Sequence, residues 1–147
     1  MPFFVDLVKG NYLIKNRKVL VGMIVGRYSA VKKDGQPDYQ RIEKHIRLAE
    51  ECAVRLWNSG FAVFVPHLNT RHFEIKTRVP ETVYQAFDQL MLRKIADFIF
   101  VLPNWRQSAG GCKEVKLAVS LGLPVFDKLL ELKKWRDGNP DFKTVKL

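Results

Sequence analysis

The stretch from Ala96 to Phe126 has the pattern of a strand, a loop, a helix and a second strand. Phe98 to Leu102 is an unbroken apolar run, which is typical of a parallel strand buried on both faces. Gly110 and Gly111 then precede apolar residues at helical spacing, and Gly122 ends that helix. A turn from strand to helix lies at the carboxyl edge of an open α/β sheet, where ligands bind. We therefore expect the functional site at this turn.

The rest of the chain alternates strand and helix in the same way. Apolar runs typical of buried strands occupy residues 18–25 and 61–65, and apolar residues at helical spacing follow Asp38 and Pro80. A strand, helix and strand of this length form a right-handed crossover, so the strands are parallel. The sequence predicts an α/β, flavodoxin-like or Rossmann-like three-layer sandwich with four, or at most five, parallel strands in the order 2-1-3-4.

Length and composition indicate one α/β domain with short additions at both ends. A chain of 147 residues with 47% hydrophobic residues can bury a core of its own. We assign residues 1–17 to an N-terminal arm, 18–136 to the domain and 137–147 to a C-terminal tail. In the helix after Pro80, the residues predicted to face the core are Val83, Phe87, Leu90, Met91 and Ile95.

Cysteine usage and the N-terminal sequence indicate the compartment. Cys52 and Cys112 fall in predicted helices and form no disulfide framework, which is typical of a reduced cytosolic protein. The N-terminal apolar run has no charged leader and is too short to span a bilayer. We expect a cytoplasmic protein with no membrane partner.

The charge balance favours an anionic partner without identifying one. Lys and Arg number 25 against 15 Asp and Glu, for a net charge of +10. The basic residues are scattered from Lys9 to Lys146 and never form a dense block. A solvated basic surface is therefore favoured over a nucleic-acid footprint, although nucleic acid stays open as a partner.

Several common sites are absent from the sequence. There is no GxxxxGK[ST] phosphate loop and no complete dinucleotide fingerprint. His45, His67 and His72 lack the spacing of metal ligands, so no metal site is expected, and His45 is interpreted as a helix surface residue. Ser108 lacks the nucleophile-elbow sequence. Cys112, near a helix N-terminus, is a rival nucleophile, but no histidine base is evident for it.

Glu114 is the strongest candidate for chemistry. We place it in the first turn of the helix after the glycines, where a carboxylate is stabilised as an anion. An ionised carboxylate there can attack an electrophilic sugar carbon. The alternative is that Glu114 is only a favourable first-turn charge, and periodicity alone leaves both interpretations open.

Three motifs together resemble the nucleoside 2-deoxyribosyltransferase family. They are GRYS after the first strand, Asp88 nine residues before Asp97, and SAGGCKE followed by LAVSLGLPVF. The chain looks most like the small relatives that hydrolyse deoxynucleoside monophosphates and like phage and bacterial domains with an LPxWxxSxGxxxE turn. The resemblance covers about Lys18 to Phe126.

The resemblance implies a role for each matching residue. Glu114 would be the nucleophile, Tyr28 would position it, and Asp88 would line the sugar and base pocket. Ser108 would contact phosphate, with Gly110 letting the backbone approach. Asp97, at the start of the third strand, is interpreted as structural. The other expected substrate-binding residues are Gly26, Ser29, His67, Asn104 and Gly111.

The chain also departs from that family. Members carry a further carboxylate at or just beyond the end of the third strand, where this chain has the residues Leu102, Pro103, Asn104 and Trp105. Arg27 replaces a proline common in the first motif. Without the further acid, protonation of the leaving group falls to Asp88 or to no residue at all.

The expected function is cleavage or transfer of the N-glycosidic bond of a (deoxy)nucleoside or nucleoside 5′-monophosphate. It would proceed through a covalent glutamyl-glycosyl intermediate and use no metal or organic cofactor. The resemblance implies a homo-oligomer whose neighbouring subunit completes the pocket, and the apolar N-terminal arm and Trp105 in an exposed loop offer surface for it. The alternatives are a catalytically inactive nucleotide-sensing domain and a basic nucleic-acid-binding protein.

Overall fold

The fold is built on a parallel sheet of four short strands. The structure is a computed structural model and describes residues 19–138. The strands are β1 Val21–Val25, β2 Ala62–Phe64, β3 Phe98–Val101 and β4 Val125–Phe126. Their order is β2-β1-β3-β4 and every pairing is parallel. The predicted α/β class and strand order are confirmed, and the architecture is consistent with a flavodoxin-like fold.

Six helices connect or follow the strands within residues 19–138. They are α1 Tyr39–Asn58, α2 Pro66–Asn69, α3 Phe73–Lys76, α4 Glu81–Lys94, α5 Ala109–Ser120 and α6 Leu129–Asp137, with a short 3₁₀ turn at Trp105–Gln107. Asp38 caps α1, because its carboxylate accepts a hydrogen bond of 3.2 Å from the Arg41 amide. The segment 69–80, between α2 and α4, contains α3. The predicted N-terminal arm and the end of the predicted tail lie outside the described residues.

The first core lies between the sheet and helices α1 and α6. Alternate strand residues such as Ile24 and Phe100 meet buried residues of α1 there, and α6 contributes Leu132. The ring of Phe98 is completely buried in the same core. A Cβ at Gly22 would lie 2.2 Å from that ring, so the glycine lets β1 and the ring pack closely.

The second core, under α4 and α5, corrects one prediction. Met91 packs against this core as predicted. Phe87 is 41% exposed but packs its ring against Phe64 of this core, with ring centroids 5.8 Å apart, so its assignment is confirmed in part. The remaining residues assigned to the core face of α4 are 49–53% exposed: Val83, Leu90 and Ile95. The inward side of α4 is instead defined by Leu92, which is 1% exposed. Helical spacing identified an apolar stripe on α4 but not the surface that the stripe faces.

Two further findings concern membrane spans and cysteines. No helix within residues 19–138 has the length and apolar character needed to cross a bilayer. Cys52 is a buried free thiol and Cys112 a half-buried one. Burial raises the pKa of the Cys52 thiol to about 11, so that thiol is held in its unreactive neutral form.

Candidate functional site

Two carboxyl groups, one on α4 and one on α5, influence each other electrostatically. The helices pack against each other over the second core, and each contributes one half-buried acid, Asp88 from α4 and Glu114 from α5. Burial, and then the negative charge of Asp88, raise the pKa of Glu114 from 4.5 to about 8. Burial alone raises the pKa of Asp88 from 3.8 to about 6. At neutral pH Glu114 is therefore mostly protonated and Asp88 mostly ionised, so the pair carries one proton.

This finding corrects the predicted state of Glu114. Helix α5 begins at Ala109, so Glu114 is its sixth residue and lies in the second turn. The favourable field of a helix N-terminus falls off within the first turn. Burial and the neighbouring carboxyl outweigh what is left of that field. The predicted first-turn position of Glu114 is therefore wrong, and the pKa of its carboxyl is raised instead of lowered.

The turn before α5 is held by a side-chain cap. Ser108 Oγ accepts a hydrogen bond of 2.9 Å from the Gly111 amide. A Cβ at Gly111 would lie 3.0 Å from the Trp105 carbonyl oxygen, so this glycine serves packing. A Cβ at Gly110 would meet only Ser108 Oγ, at 3.8 Å, and otherwise open space. The donors still available at this turn, within residues 19–138, are the amides of Ala109 and Gly110 and the Ser108 hydroxyl proton.

Residues from three other elements hold the loop after β1 in place. The Arg27 amide donates to Asn104 Oδ1 at 2.9 Å, and the Arg27 carbonyl oxygen accepts from His67 Nε2 at 3.0 Å. The next carbonyl oxygen, of Tyr28, accepts from His45 Nδ1 at 2.9 Å. A ring nitrogen facing a carbonyl must carry the proton, so these contacts fix the tautomers when the histidines are neutral. His45 is thus half-buried and holds this loop through a hydrogen bond, so its interpretation as a surface residue is wrong.

The contacts of His67 and Asn104 give them a positioning role. His67 is 4% exposed, and burial lowers the pKa of its ring, which is therefore neutral near pH 7. Its ring centroid lies 5.8 Å from that of Tyr28. Both side chains were predicted to bind substrate, but the hydrogen bonds described above go to the backbone of the β1 loop.

Tyr28 makes contacts other than the predicted one. Its hydroxyl lies 3.1 Å from both carboxylate oxygens of Glu74 and accepts from the His72 amide at 2.9 Å. Burial is the main cause that raises the pKa of Tyr28 to about 12, so the phenol stays protonated and donates to Glu74. Among residues 19–138 no hydrogen bond joins Tyr28 to Glu114. The predicted positioning of Glu114 by Tyr28 is therefore not formed in this structure.

A cluster of charged side chains secures the segment that carries Glu74. Glu43 on α1 accepts from Arg71 at 2.9 Å and also contacts His72 Nε2. The hydrogen bond with His72, and then that with Arg71, lower the pKa of Glu43. His72 has a φ of 58°, in the left-handed region. Nothing in the sequence indicates the roles of Glu43 and Glu74. Each contacts a residue far away in the chain, and no pattern of sequence spacing predicts such contacts.

The other predicted residues have packing or exposed positions. A Cβ at Gly26 would lie 2.5 Å from Leu102 Cδ1, so Gly26 is required for close packing. Ser29 is exposed, and its carbonyl oxygen accepts from Arg27 Nε at 3.1 Å. Asp97 Oδ2 accepts from the Val21 amide at 2.9 Å, where β1 begins, which confirms the structural role predicted for it.

Cys112 contacts a backbone carbonyl, and the described residues contain no group of metal ligands. Cys112 Sγ is 3.6 Å from the Arg106 carbonyl oxygen, and no histidine bonds to it within residues 19–138. In the same part of the chain, no three His, Cys, Asp or Glu side chains are grouped as metal ligands would be. The arrangement with chemical potential is thus the carboxyl pair, beside a helix N-terminus with free amide donors.

The comparisons with known proteins identify a family. Residues 25–127 match the family described as domain of unknown function (DUF4406), and the chain belongs to that family. The matched range includes Asp88, Glu114 and the turn between β3 and α5. Comparison with curated proteins and with solved structures found no match.

Proposed function

We propose that this protein cleaves or transfers the N-glycosidic bond of a (deoxy)nucleoside or nucleoside 5′-monophosphate, with Asp88 and Glu114 as the reacting groups. The observation that carries the proposal is the placement of two half-buried acids on the packed helices α4 and α5, where burial and the charge of Asp88 raise the pKa of Glu114 to about 8. Most enzymes that cleave glycosidic bonds use two carboxyl groups whose different environments give them different pKa values. The resemblance of the SAGGCKE turn and of Asp88 to the nucleoside 2-deoxyribosyltransferase family is the second support.

The first step uses the shared proton. Glu114, as the carboxylate, attacks C1′ of the sugar while the bond from C1′ to the base nitrogen breaks. The bonding electrons leave with the base, which takes a proton from Asp88. This state requires the proton on Asp88, although the pKa values of about 6 and about 8 favour Glu114 as its holder. A difference of about 2 pKa units costs about 3 kcal/mol, and the positive charge that develops on the sugar offsets this cost.

The second step restores the pair. Water attacks C1′, the bond from C1′ to Glu114 breaks, and the proton lost by water returns to Asp88. A second base in place of water gives transfer instead of hydrolysis. Atoms, protons and electrons balance through both steps without a metal or organic cofactor.

The turn before α5 suits the phosphate of a monophosphate. Gly110 borders open space, and the amides of Ala109 and Gly110 and the Ser108 hydroxyl are available to donate. These donors begin a twelve-residue helix whose N-terminus favours an anion. The proposal also includes a homo-oligomer, as the resemblance implies. It places the activity in the cytoplasm, which the two free thiols favour.

The test is release of free base from a panel of nucleosides and 5′-monophosphates, measured by chromatography. The wild-type protein should release base from at least one member of the panel. Asp88→Asn and Glu114→Gln should each lose activity by roughly 10² or more, because each removes a proton-transfer or nucleophilic group. Glu50→Gln, which changes an exposed carboxyl on α1, should keep full activity. No release from any substrate, or undiminished release by Glu114→Gln, would contradict the proposal.

One observation favours a second candidate, a nucleotide-binding domain without turnover. Where the resembling family carries a further carboxylate, this chain has Asn104, and Asn104 Oδ1 accepts from the Arg27 amide. The side chain of Asn104 therefore holds the loop after β1 and cannot serve as an acid. Calorimetric binding of a monophosphate with no release of base over long incubation would indicate this function.

A further inference from the structure

His72 lies between two carboxylates. Its ring nitrogen Nε2 contacts Glu43 of α1, and its other ring nitrogen, Nδ1, lies 3.8 Å from a carboxylate oxygen of Glu74 in α3. The side chain of His72 is 18% exposed, so the ring is largely shielded from water. Nδ1 has no hydrogen-bond partner among the described residues. One nitrogen of this ring is therefore bonded to a carboxylate, and the other faces a second carboxylate without a bond.

The protonation state of the ring decides how well it fits this position. A neutral imidazole carries one N–H, and an ionised carboxylate can only accept. Neutral His72 can therefore donate to Glu43, but the lone pair on Nδ1 then faces the negative charge of Glu74. A protonated ring carries an N–H on both nitrogens and places a positive charge between the two carboxylates. Protonated His72 thus has two carboxylate partners, and neutral His72 has one.

These contacts hold a segment that has little packing of its own. Helix α3 has no buried residue, so apolar packing does not fix its position. The hydroxyl of Tyr28, in the loop after β1, donates to Glu74 and accepts from the His72 amide. At the far end of the segment, Thr77 contacts Tyr84 of α4. Segment 70–77 is thus held against α1 and the loop after β1 by polar contacts, and His72 and Glu74 make most of them.

The backbone of His72 has an unfavourable conformation. Its φ of 58° lies in the left-handed region, and His72 is the only non-glycine residue with a positive φ in the part of the chain that the structure describes. A residue with a Cβ keeps such a conformation only where the surrounding contacts hold it. A weaker contact at the ring of His72 therefore also weakens what holds the backbone of the segment.

We propose that segment 70–77 is a pH-dependent cover on the loop after β1. It is closed while His72 is protonated between the ionised carboxylates of Glu43 and Glu74, and it loosens when His72 loses its proton. Histidines ordinarily change their charge between about pH 5 and 8. Helix α2, which precedes the segment, begins two residues after the carboxyl end of β2, so the segment lies at the carboxyl edge of the sheet. Ligands of open α/β sheets bind at this edge, and loosening of the cover therefore increases access to it.

The other groups around His72 do not reverse this dependence. The guanidinium of Arg71 also binds Glu43 and keeps its charge throughout this pH range. The phenol of Tyr28 has a pKa of about 12 and stays protonated. The pKa of Glu43 is lowered, so the contribution of its carboxylate is lost only as pH falls below the ordinary value of 4.5. The ring of Tyr39 on α1 completes the surroundings, with its centroid 6.3 Å from that of His72.

The first test measures the exchange of the residue 72 amide hydrogen with water, by magnetisation transfer in NMR, at pH 6 and pH 8. After correction for the intrinsic pH dependence of exchange, protection in the wild type should fall roughly threefold to fivefold at the higher pH, which is the contribution of a partly exposed ion pair. His72→Asn should show no such fall, because asparagine tolerates the left-handed backbone but gains no charge. A wild-type protection that does not fall, or an equal fall in His72→Asn, would overturn the proposal. The second result would assign the effect to His45 or His67.

The second test removes one carboxylate. Glu43→Gln keeps the shape of the side chain but not its charge, so its protection at pH 6 should fall to about the wild-type value at pH 8. Glu50→Gln is the control, because it removes an exposed carboxyl from the same helix and should behave as the wild type. Circular dichroism shows whether each variant is folded, and Glu74→Gln provides the same test if Glu43→Gln is not.

Protection in a folded Glu43→Gln or Glu74→Gln variant that equals the wild-type value at pH 6 would also overturn the proposal. The inference depends on the contacts of His72 and not on the chemistry of Asp88 and Glu114. Neither measurement involves base release, so the cover and the proposed reaction can fail separately.

Discussion

Replacing Glu114 by glutamine should stabilise the protein, and the gain should grow with pH. The pKa of Glu114 is about 8 in the folded protein against 4.5 for the ordinary side chain. The folded state therefore binds this proton more tightly than the unfolded state does. Stability is lost as pH rises from 4.5 through about 8 and changes little beyond it. Glutamine has nearly the same shape and no proton to lose, so the variant avoids this loss.

The magnitude follows from the pKa difference. At about 1.4 kcal/mol per pKa unit, the gain is at most about 3 kcal/mol at pH 7 and about 4 to 5 kcal/mol at pH 9, and it vanishes near pH 4. A gain of about 3 kcal/mol corresponds to roughly 10 °C in Tm for a chain of this size.

The assay is thermal unfolding of the wild type and Glu114→Gln across this pH range. Glu50→Gln serves as the control, because it removes the same charge from the exposed side of α1. Its difference from the wild type should be small and nearly independent of pH. A Glu114→Gln variant that is less stable than the wild type at pH 8, or whose difference does not change with pH, would refute burial as the dominant effect on this carboxyl.

Three further predictions address neighbouring parts of the site. Base release should follow a bell-shaped pH profile with limbs near pH 6 and 8, because the reaction requires one proton on the pair of Asp88 and Glu114; a flat profile would exclude the shared proton. Gly26→Ala should lose about 1 to 3 kcal/mol of stability, measured by urea unfolding, because the new Cβ would meet Leu102 Cδ1 at 2.5 Å. The added substitution Leu102→Ala should relieve part of that loss. Ser108→Ala should cost about 1 kcal/mol of stability through the lost helix cap, and by calorimetry it should weaken binding of a monophosphate more than binding of the nucleoside.

The parts of the fold that depend on local pattern could be predicted from the sequence. Phe98 to Leu102 reads as a strand because every residue is apolar, and the structure buries all of them. Asp38 is recognisable as a cap because its chemistry acts within three residues. The strand order could be predicted because crossovers between parallel strands are right-handed as a general rule, whatever the individual residues.

Features that depend on distant contacts could not be predicted. The hydroxyl of Tyr28 meets Glu74, 46 residues away, across a segment with no periodic pattern. His67 was predicted only to bind substrate, and its contact with the Arg27 carbonyl oxygen could not be foreseen, because any residue at that position offers the same acceptor.

The carboxyl pair could be predicted in part: its residues were identified, but their pKa values were not. The resemblance selected Asp88 and Glu114, and the structure makes them electrostatic neighbours. Their proton affinities depend on how deeply α4 and α5 bury them, which spacing does not reveal. Val83, Leu90 and Ile95 of α4 were assigned to the core for a related reason, because periodicity finds an apolar side without saying what covers it.

The most direct test of the account is to locate the covalent intermediate. Wild-type protein is mixed with a substrate that releases base and quenched in acid within the first turnover, and its intact mass and peptides are then measured. The account predicts a mass increase equal to one sugar or sugar phosphate, located on Glu114 and missing from Glu114→Gln. A protein that releases base but carries the sugar on Asp88 or Cys112, or never carries it, would contradict the account.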